Sequence, residues 1–253
     1  MEAMIFTGLS WVEVVLIGLA FFVAGLVKGI LGLGIPFIII PVVTAVTDVV
    51  TALALVALPT IIPNVVQLWQ FRQHRLESSH TVMLVAGLVP GVWLGAVMLV
   101  DLQTSSLVPQ ILGGMLLLYL GSRVVRSPLT LTTTLAKRLA IPVGFGSGFL
   151  GGLVGISAPI SLTYLSAQRL ERPQFIFQVS IFFGVIGSCQ VIFYLHEELA
   201  DYPIIALSSV GLIPLFGGMY LGQILGKYLS QSAFEKLVLT VLCVIGLKLV
   251  LDI

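Results

Sequence analysis

The sequence has 253 residues, of which 58% are hydrophobic and 9% are charged, and its formal net charge is +1. A soluble domain carries about 25% charged residues, so this chain cannot cover a water-facing surface. The composition predicts an all-α polytopic membrane protein embedded in a lipid bilayer, and the small net charge gives no indication of nucleic-acid binding.

The first half of the chain begins with an apolar run from Trp11 to Val27, about 26 Å long as a helix. A glycine-rich interruption follows over Gly25–Pro36, and a short apolar arm then runs from Pro36 to Val46. Proline suits the first turn of a helix because its missing N–H has no partner there, so Pro36 is predicted to start a half-helix. Three further crossings are predicted over Val49–Trp69, Val82–Val100 and Leu107–Leu120.

The second half follows the same order. A long apolar arm over Leu139–Val154 precedes a short one over Pro159–Ala167, whose first residue is again a proline. Three crossings are then predicted over Phe175–Leu195, Ile204–Leu225 and Phe234–Leu251. The polar stretch Arg123–Arg138 separates the halves. We therefore divide the chain into a first transmembrane repeat (residues 1–124), a cytoplasmic linker (125–137) and a second transmembrane repeat (138–253).

The two interruptions match each other in sequence. Gly25–Pro36 aligns without a gap on Gly148–Pro159, so that three glycines and the proline coincide. Gly34 becomes Ser157 and Lys28 becomes Gly151 in the second copy. Each repeat is thus predicted to contain a helical hairpin broken by glycine and proline, followed by three transmembrane helices. Such paired interruptions are typical of the substrate site of a secondary transporter, and we expect the half-helices to face a common centre.

The placement of charge predicts how the halves are related, because basic residues concentrate on the cytoplasmic side. Four loops hold nine of the twelve basic residues: Arg72, Arg75, Arg123, Arg126, Lys137, Arg138, Arg169, Arg172 and Lys227. The intervening turns carry acidic residues: Asp48, Asp101, Glu197, Glu198 and Asp201. These constraints place both termini on the non-cytoplasmic side, invert the second repeat relative to the first, and return each broken segment to the face from which it enters.

The interruptions have the chemistry of an anion site. The first N–H groups of a helix lack intrahelical acceptors and, with the helix dipole, favour an anion. Lys28 is the one formal charge in the apolar part of either interruption, and glycine lets a ligand approach the backbone. The predicted ligand is a small inorganic or organic anion. The candidate substrate-binding residues are Lys28, Gly29, Gly32, Gly34, Pro36, Asn64, Gln67, Gly152, Gly155, Ser157, Pro159 and Gln190.

Several of these residues have a purely structural alternative. Gly25 with Gly29, and Gly148 with Gly152, fit the G-x-x-x-G motif of close helix packing. Lys28 could instead reach the headgroups at the membrane surface. The glutamines and Asn64 could serve as hydrogen-bonding contacts between helices. Two further G-x-x-x-G pairs, at Gly91–Gly95 and Gly218–Gly222, could join helices within one chain or between two copies in a homodimer.

Other chemistries find little support in the sequence. Gly146–Gly151 matches the dinucleotide-binding pattern, but that pattern requires a preceding strand and here lies in a membrane helix. No catalytic triad or metal-ligand spacing is present, so no catalytic residue, metal or cofactor is predicted. Coupling to protons would need carboxylates, and the best candidates are Asp48 and Glu171, which occupy matching positions at the ends of the short arms.

The paired glycine–proline interruptions, the duplicated plan, the length and the Arg123–Arg138 linker together resemble the TauE/SafE family, also called toluene-sulfonate uptake permeases. The resemblance covers nearly the whole chain. It implies a multi-pass protein of the bacterial cytoplasmic membrane that transports sulfite, organosulfonates or related sulfur-containing anions, often as an exporter. We expect a secondary transporter with alternating access. The alternatives are a membrane-embedded enzyme acting on a sulfur compound through Cys189, or a passive anion channel.

Overall fold

The computed structural model describes residues 10–31, 35–75, 79–124, 130–226, 228 and 231–251. Within these ranges the chain is helical, and we number its α-helices in order. They are α1 (Trp11–Leu31), α2 (Ile35–Thr44), α3 (Val49–Gln70), α4 (Ser79–Leu102), α5 (Leu107–Val124), α6 (Thr133–Val154), α7 (Ala158–Ala167), α8 (Arg172–His196), α9 (Tyr202–Leu207), α10 (Leu212–Leu225) and α11 (Gln231–Leu251). A single 3₁₀ turn over Arg72–His74 follows α3.

Five stretches of the described chain are long and apolar enough to cross a bilayer: Trp11–Ile30, Val49–Gln70, His80–Leu102, Arg172–His196 and Tyr202–Leu225. A helix satisfies its backbone hydrogen bonds internally, which is why such segments are stable in lipid. The prediction of an all-α polytopic membrane protein is therefore confirmed.

The interruptions are shorter than the sequence predicted. α1 continues through Gly25 and Gly29 to Leu31, and α6 continues through Gly148 and Gly152 to Val154. The second interruption is confined to residues 155–157, and the corresponding residues 32–34 of the first lie outside the described part of the chain. The prediction that the first helix ends near Val27 was wrong, because its glycines are needed for packing and not for a break.

These helical glycines let neighbouring helices approach closely. A Cβ atom on Gly25 or Gly29 would collide with a backbone carbonyl oxygen of α10, and one on Gly148 or Gly152 would collide with a carbonyl oxygen of α4. The partner helices contribute glycines of their own, at Gly91, Gly95, Gly218 and Gly222. Close packing therefore accounts for all these glycines. The pairs considered for a homodimer contact are occupied within the chain.

We expect the substitution Gly148→Ala to lower the unfolding temperature, because the added methyl group would push α6 away from Leu88 of α4. Overpacking of this kind costs about 1–3 kcal/mol. Gly114→Ala is the matched control, since a Cβ there meets nothing within 4 Å. Thermal unfolding in detergent measures both variants. Equal unfolding temperatures for Gly148→Ala and Gly114→Ala would contradict this packing account.

The linker between the halves is shorter than predicted. α6 begins at Thr133, so Lys137 and Arg138 are helical and not part of a connection. The Thr132 hydroxyl accepts a hydrogen bond from the N–H of Leu135 at 3.4 Å and caps the helix. The sequence predicted a connection here because the start of α6 is polar, but these polar residues are already helical.

The predicted crossing Ile204–Leu225 is divided into α9 and α10. Between them the backbone tightens, so that the N–H of Ser209 bonds to Ala206 and that of Val210 to Leu207, three residues back instead of four. The Ser208 hydroxyl also donates to the carbonyl of Ile205 at 2.6 Å. The corresponding helix of the first half, α4, shows no such division. The halves therefore differ at this point.

The principal helix pairs combine the two halves. α1 packs on α10, α4 on α6, α3 on α8 and α5 on α11. α7 folds back along α6, because the N–H of Leu131 donates to Ala167 at 2.9 Å and the Tyr164 hydroxyl donates to Ala136 at 2.8 Å. Residues from the start of α6 thus meet residues from the end of α7, as a helical hairpin requires.

Candidate functional site

Lys28 lies inside the helix bundle. Its side chain is 3% exposed, and Nζ donates to Oδ1 of Asn64 on α3 at 3.0 Å. This placement differs from the alternative in which Lys28 reaches the membrane surface. No carboxylate forms an ion pair with Lys28 among the described residues. A buried ammonium with a neutral partner leaves its charge uncompensated, which makes this position attractive to an anion.

Asn64 is held in place by its own helix. Its Nδ2 donates to the carbonyl oxygen of Thr60 at 2.6 Å, which turns Oδ1 towards Lys28. The Thr60 hydroxyl is buried and has no hydrogen-bond partner. Opposite this face, α8 presents Gly184 and Gly187, whose missing side chains give α3 room. The part of α3 around Thr60 and Asn64 therefore packs closely against α8 at these two glycines.

Two further polar contacts join α8 to its neighbours, one to α3 beyond Asn64 and one to α4. The Ser180 hydroxyl on α8 donates to Oε1 of Gln67 at 3.1 Å. The Thr81 hydroxyl on α4 donates to Oε1 of Gln178 at 2.9 Å. These contacts join three helices, so the interhelical role considered for Gln67 describes one of its functions in this structure.

Gln190 and Tyr194 support the second interruption. Nε2 of Gln190 donates to the carbonyl of Gly151, and the Tyr194 hydroxyl donates to that of Gly152, each at 2.7 Å. Carbonyls in the last turn of a helix need partners from outside it, and α8 supplies them here. Sequence reasoning missed Tyr194, although a hydroxyl four residues after a buried glutamine was a usable signal.

Gly155 is required by the backbone itself. It ends α6 with φ of 72°, in the left-handed region that favours glycine. A Cβ atom there would also collide with the side chains of Ile40 and Leu53. Gly155 therefore fixes the turn between α6 and α7 and brings it against α2 and α3.

Ser157 precedes the first turn of α7. Its hydroxyl is buried, with the residue 1% exposed, and has no hydrogen-bond partner. Pro159 lies in that first turn, as predicted, and has no N–H. The N–H groups of Ile160 and Ser161 bond to the carbonyl of Ser157. This helix start therefore offers fewer backbone donors than expected, and the unpaired hydroxyl is its clearest polar feature.

Lys28 and Gly155 lie against different points along α3. Lys28 contacts α3 at Asn64, whereas Gly155 contacts it at Leu53. Eleven residues of helix separate these contact points, about 16 Å along α3. The expectation that the two half-helices face a common centre stays a prediction, because residues 32–34 lie outside the described part of the chain.

The remaining candidates fall into three groups. Pro36 is buried in the first turn of α2, as predicted, and Gly29 packs on α10. Gly32 and Gly34 lie outside the described residues. Asp48 and Glu171 are exposed helix caps: Asp48 Oδ1 accepts from the N–H of Thr51 at 2.9 Å, and the Glu171 N–H donates to Oε1 of Gln174 at 3.2 Å. A role of either carboxylate in proton coupling stays a prediction.

The described residues contain no group of three metal-ligating side chains. Comparison with known proteins gave no match among curated proteins and none among solved structures. The sequence model of the family described as "Sulfite exporter TauE/SafE" does match, over residues 17–249. Since this match spans nearly the whole chain, the protein belongs to the TauE/SafE sulfite exporter family of membrane transporters.

Proposed function

We propose that the protein is a secondary transporter that exports a small sulfur-containing anion, such as sulfite or an organosulfonate, by alternating access. Family membership supports a transporter of the sulfite exporter type. The single observation that supports a negatively charged substrate is the buried ammonium of Lys28. Its described partner is the neutral amide of Asn64. An anion entering this position would gain the electrostatic attraction that the amide provides only weakly.

The geometry suggests how the anion binds. Lys28 has three N–H donors, and one points to Asn64 at 3.0 Å. An oxyanion can take the place of Oδ1, or accept a second donor beside it. An oxygen-rich anion of small size suits a position that is enclosed by helices, since Lys28 and Asn64 are both buried. Sulfite and sulfonate groups both present three oxygens in a compact pyramid.

Two inverted repeats would give alternating access a structural basis. The four principal helix pairs each combine one helix from either half, as expected for duplicated units that interlock. The hairpin of α6 and α7 fits a broken segment that returns to its own face.

The inverted arrangement predicts the sidedness of the loops. Single cysteines at positions 75 and 130 should react with a membrane-impermeant thiol reagent from the cytoplasmic side, and one at position 198 from the opposite side. Arg75 and Glu198 are exposed, so labelling is not limited by burial. Labelling of 75 and 130 from outside would exclude this topology and the inversion with it.

We expect Ser157→Val to reduce anion transport strongly while the protein stays folded and inserted. The substitution removes the unpaired buried hydroxyl and adds branched bulk beside the turn. Ser157→Ala removes the same hydroxyl without the bulk and should have a milder effect. Vesicle flux and substrate-dependent thermal stabilisation measure both. If Ser157→Val binds and transports like the parent, this interruption contributes packing only.

Flux into proteoliposomes tests the proposed function itself. Sulfite, methanesulfonate and toluenesulfonate should compete with one another for saturable transport, whereas a cation of similar size should not compete. Chemical analysis of the transported compound separates transport from the enzymatic alternative, which would change it. Absence of flux for every sulfur-containing anion, in vesicles holding folded protein, would overturn the proposal.

A further inference from the structure

We propose that an outer stripe formed by Val65, Trp69 and Arg72, at the end of α3 and in the turn after it, binds one anionic phospholipid such as phosphatidylglycerol. The inference concerns the membrane around the protein and is independent of the transported substrate. Three observations carry it: the stripe changes from apolar to basic in the order of a lipid molecule, its cation is held in place, and the end of the bundle where it lies is basic.

The stripe follows one side of α3. Val65, Trp69 and Arg72 are spaced by four and three residues, so they lie one above another on the helix and the turn. Val65 is 54% exposed and Trp69 is 68% exposed, so this side faces lipid. Tryptophan concentrates at the level of the lipid headgroups. The stripe therefore meets an acyl chain at Val65, the glycerol region at Trp69 and the phosphate at Arg72.

Arg72 is held at the end of the stripe by Trp69. Its guanidinium carbon Cζ lies 4.6 Å from the centroid of the indole ring, and Nη1 donates to the carbonyl oxygen of Trp69 at 2.7 Å. A guanidinium has five N–H donors, and this is the one hydrogen bond that Arg72 forms with a described residue. The remaining donors form a planar fork that fits the two free oxygens of a phosphodiester. The side chain is exposed and positioned for such a group.

The packing of α3 on α8 places opposite charges at opposite ends of the bundle. Gln67 contacts Ser180, whereas Asn64 faces Gly184, so rising residue numbers on α3 meet falling ones on α8. The turn after α3 therefore packs beside the start of α8. The other end, where α3 begins and α8 ends, carries four acidic residues: Asp48, Glu197, Glu198 and Asp201.

The stripe lies at the basic end. The starts of α4 and α6 meet here, since Nε2 of His80 is 3.3 Å from the carbonyl oxygen of Thr133, and Thr81 joins α4 to Gln178 near the start of α8. The hairpin described above brings the end of α7 beside the start of α6. No basic residue at this end forms an ion pair with a described residue, and Glu171 is the acidic residue here within the described ranges. The exposed basic residues at this end are Arg72, Arg75, Lys137, Arg138, Arg169 and Arg172.

An anionic phospholipid fits this surface better than a water-soluble acidic partner. A soluble partner could reach the basic residues but would leave Val65 and the lipid-facing side of Trp69 without a contact. A single lipid contacts all three members of the stripe, and each nearby Lys or Arg adds attraction to its charge.

Lipid titration of the detergent-solubilised protein, read by native mass spectrometry, tests the proposal. The parent should bind phosphatidylglycerol about tenfold more tightly than phosphatidylcholine, because the basic end repels the choline group. Arg72→Gln should lower the affinity for phosphatidylglycerol by about fivefold, the effect of one basic residue near an anionic headgroup. Trp69→Leu keeps apolar bulk but removes the ring under Arg72, so it should also lower the affinity. The matched control is Lys248→Gln, which removes an exposed charge from the last turn of α11 and should change nothing.

Each outcome decides the proposal. Equal phosphatidylglycerol affinities in Arg72→Gln and Lys248→Gln would overturn the site, as would equal binding of the two lipids by the parent. If Arg72→Gln fails to fold, parent-like affinity in Trp69→Leu would overturn it instead. Glycerol phosphate carries the charge without acyl chains, so its displacement of phosphatidylglycerol at equal concentration would show that a water-soluble anion occupies the surface. None of these measurements uses sulfite, so they leave the proposed function to its own test.

Discussion

Replacing Lys28 with methionine is expected to abolish anion binding and transport without unfolding the protein. Methionine keeps the length and apolar character of the side chain but removes the charge. Opposite charges about 4 Å apart attract by about 4 kcal/mol at an effective dielectric constant of 20. Losing even half of that would weaken binding by about thirtyfold, and losing all of it by about a thousandfold.

The stability of Lys28→Met without anion separates this loss from simple unfolding. Lys28 is 3% exposed and its charge has no ion-pair partner among the described residues, so removing the charge should not destabilise the fold. Its unfolding temperature should match or exceed that of the parent, yet stay unchanged when sulfite is added. Lys28→Arg, which retains the charge, should keep part of the sulfite response. Normal sulfite binding by Lys28→Met would show that the ammonium is not the anion site.

Replacing Asn64 with aspartate is expected to inactivate the site by supplying an internal anion. The new carboxylate would occupy the position of the amide oxygen, 3.0 Å from Nζ of Lys28. The ammonium would then be neutralised within the protein, and an incoming anion would meet a carboxylate of its own sign. We expect sulfite binding to fall by about a hundredfold or more, because the attraction to Lys28 is cancelled.

Asn64→Ala provides the contrast. It removes the amide but leaves the charge of Lys28 in place, so sulfite should still stabilise the protein. Binding isotherms for both variants therefore separate two roles of Asn64. Equal losses in Asn64→Asp and Asn64→Ala would mean that the amide itself binds the anion and that the charge of Lys28 matters less.

The sequence predicted the membrane fold because a mostly apolar chain with apolar runs of bilayer length is compatible with few other folds. Helices α3, α7 and α8 begin within a few residues of their predicted positions, since Asp48, Pro159 and Glu171 mark their first turns. α6 ends at Val154 as predicted, whereas the end of α1 was harder to predict. Glycines that break a helix and glycines that let two helices touch have the same spacing in sequence. Only the neighbours of Gly25 and Gly148 reveal which role they have.

The candidate site was predicted in part. Lys28 and Asn64 were singled out separately, and the structure brings them within hydrogen-bonding distance across 36 residues of chain. Their pairing depends on how α1 and α3 pack, which no local pattern encodes.

Counterflow in proteoliposomes tests the central claim most directly. Vesicles are loaded with unlabelled sulfite and diluted into a trace of labelled sulfite, with the parent protein and Lys28→Met side by side. If the protein is a carrier that uses Lys28, labelled sulfite should transiently accumulate in the vesicles above the external concentration of label with the parent protein. No such accumulation should occur with Lys28→Met. A channel would equilibrate the label without accumulation. Equal accumulation by Lys28→Met and the parent would contradict the account.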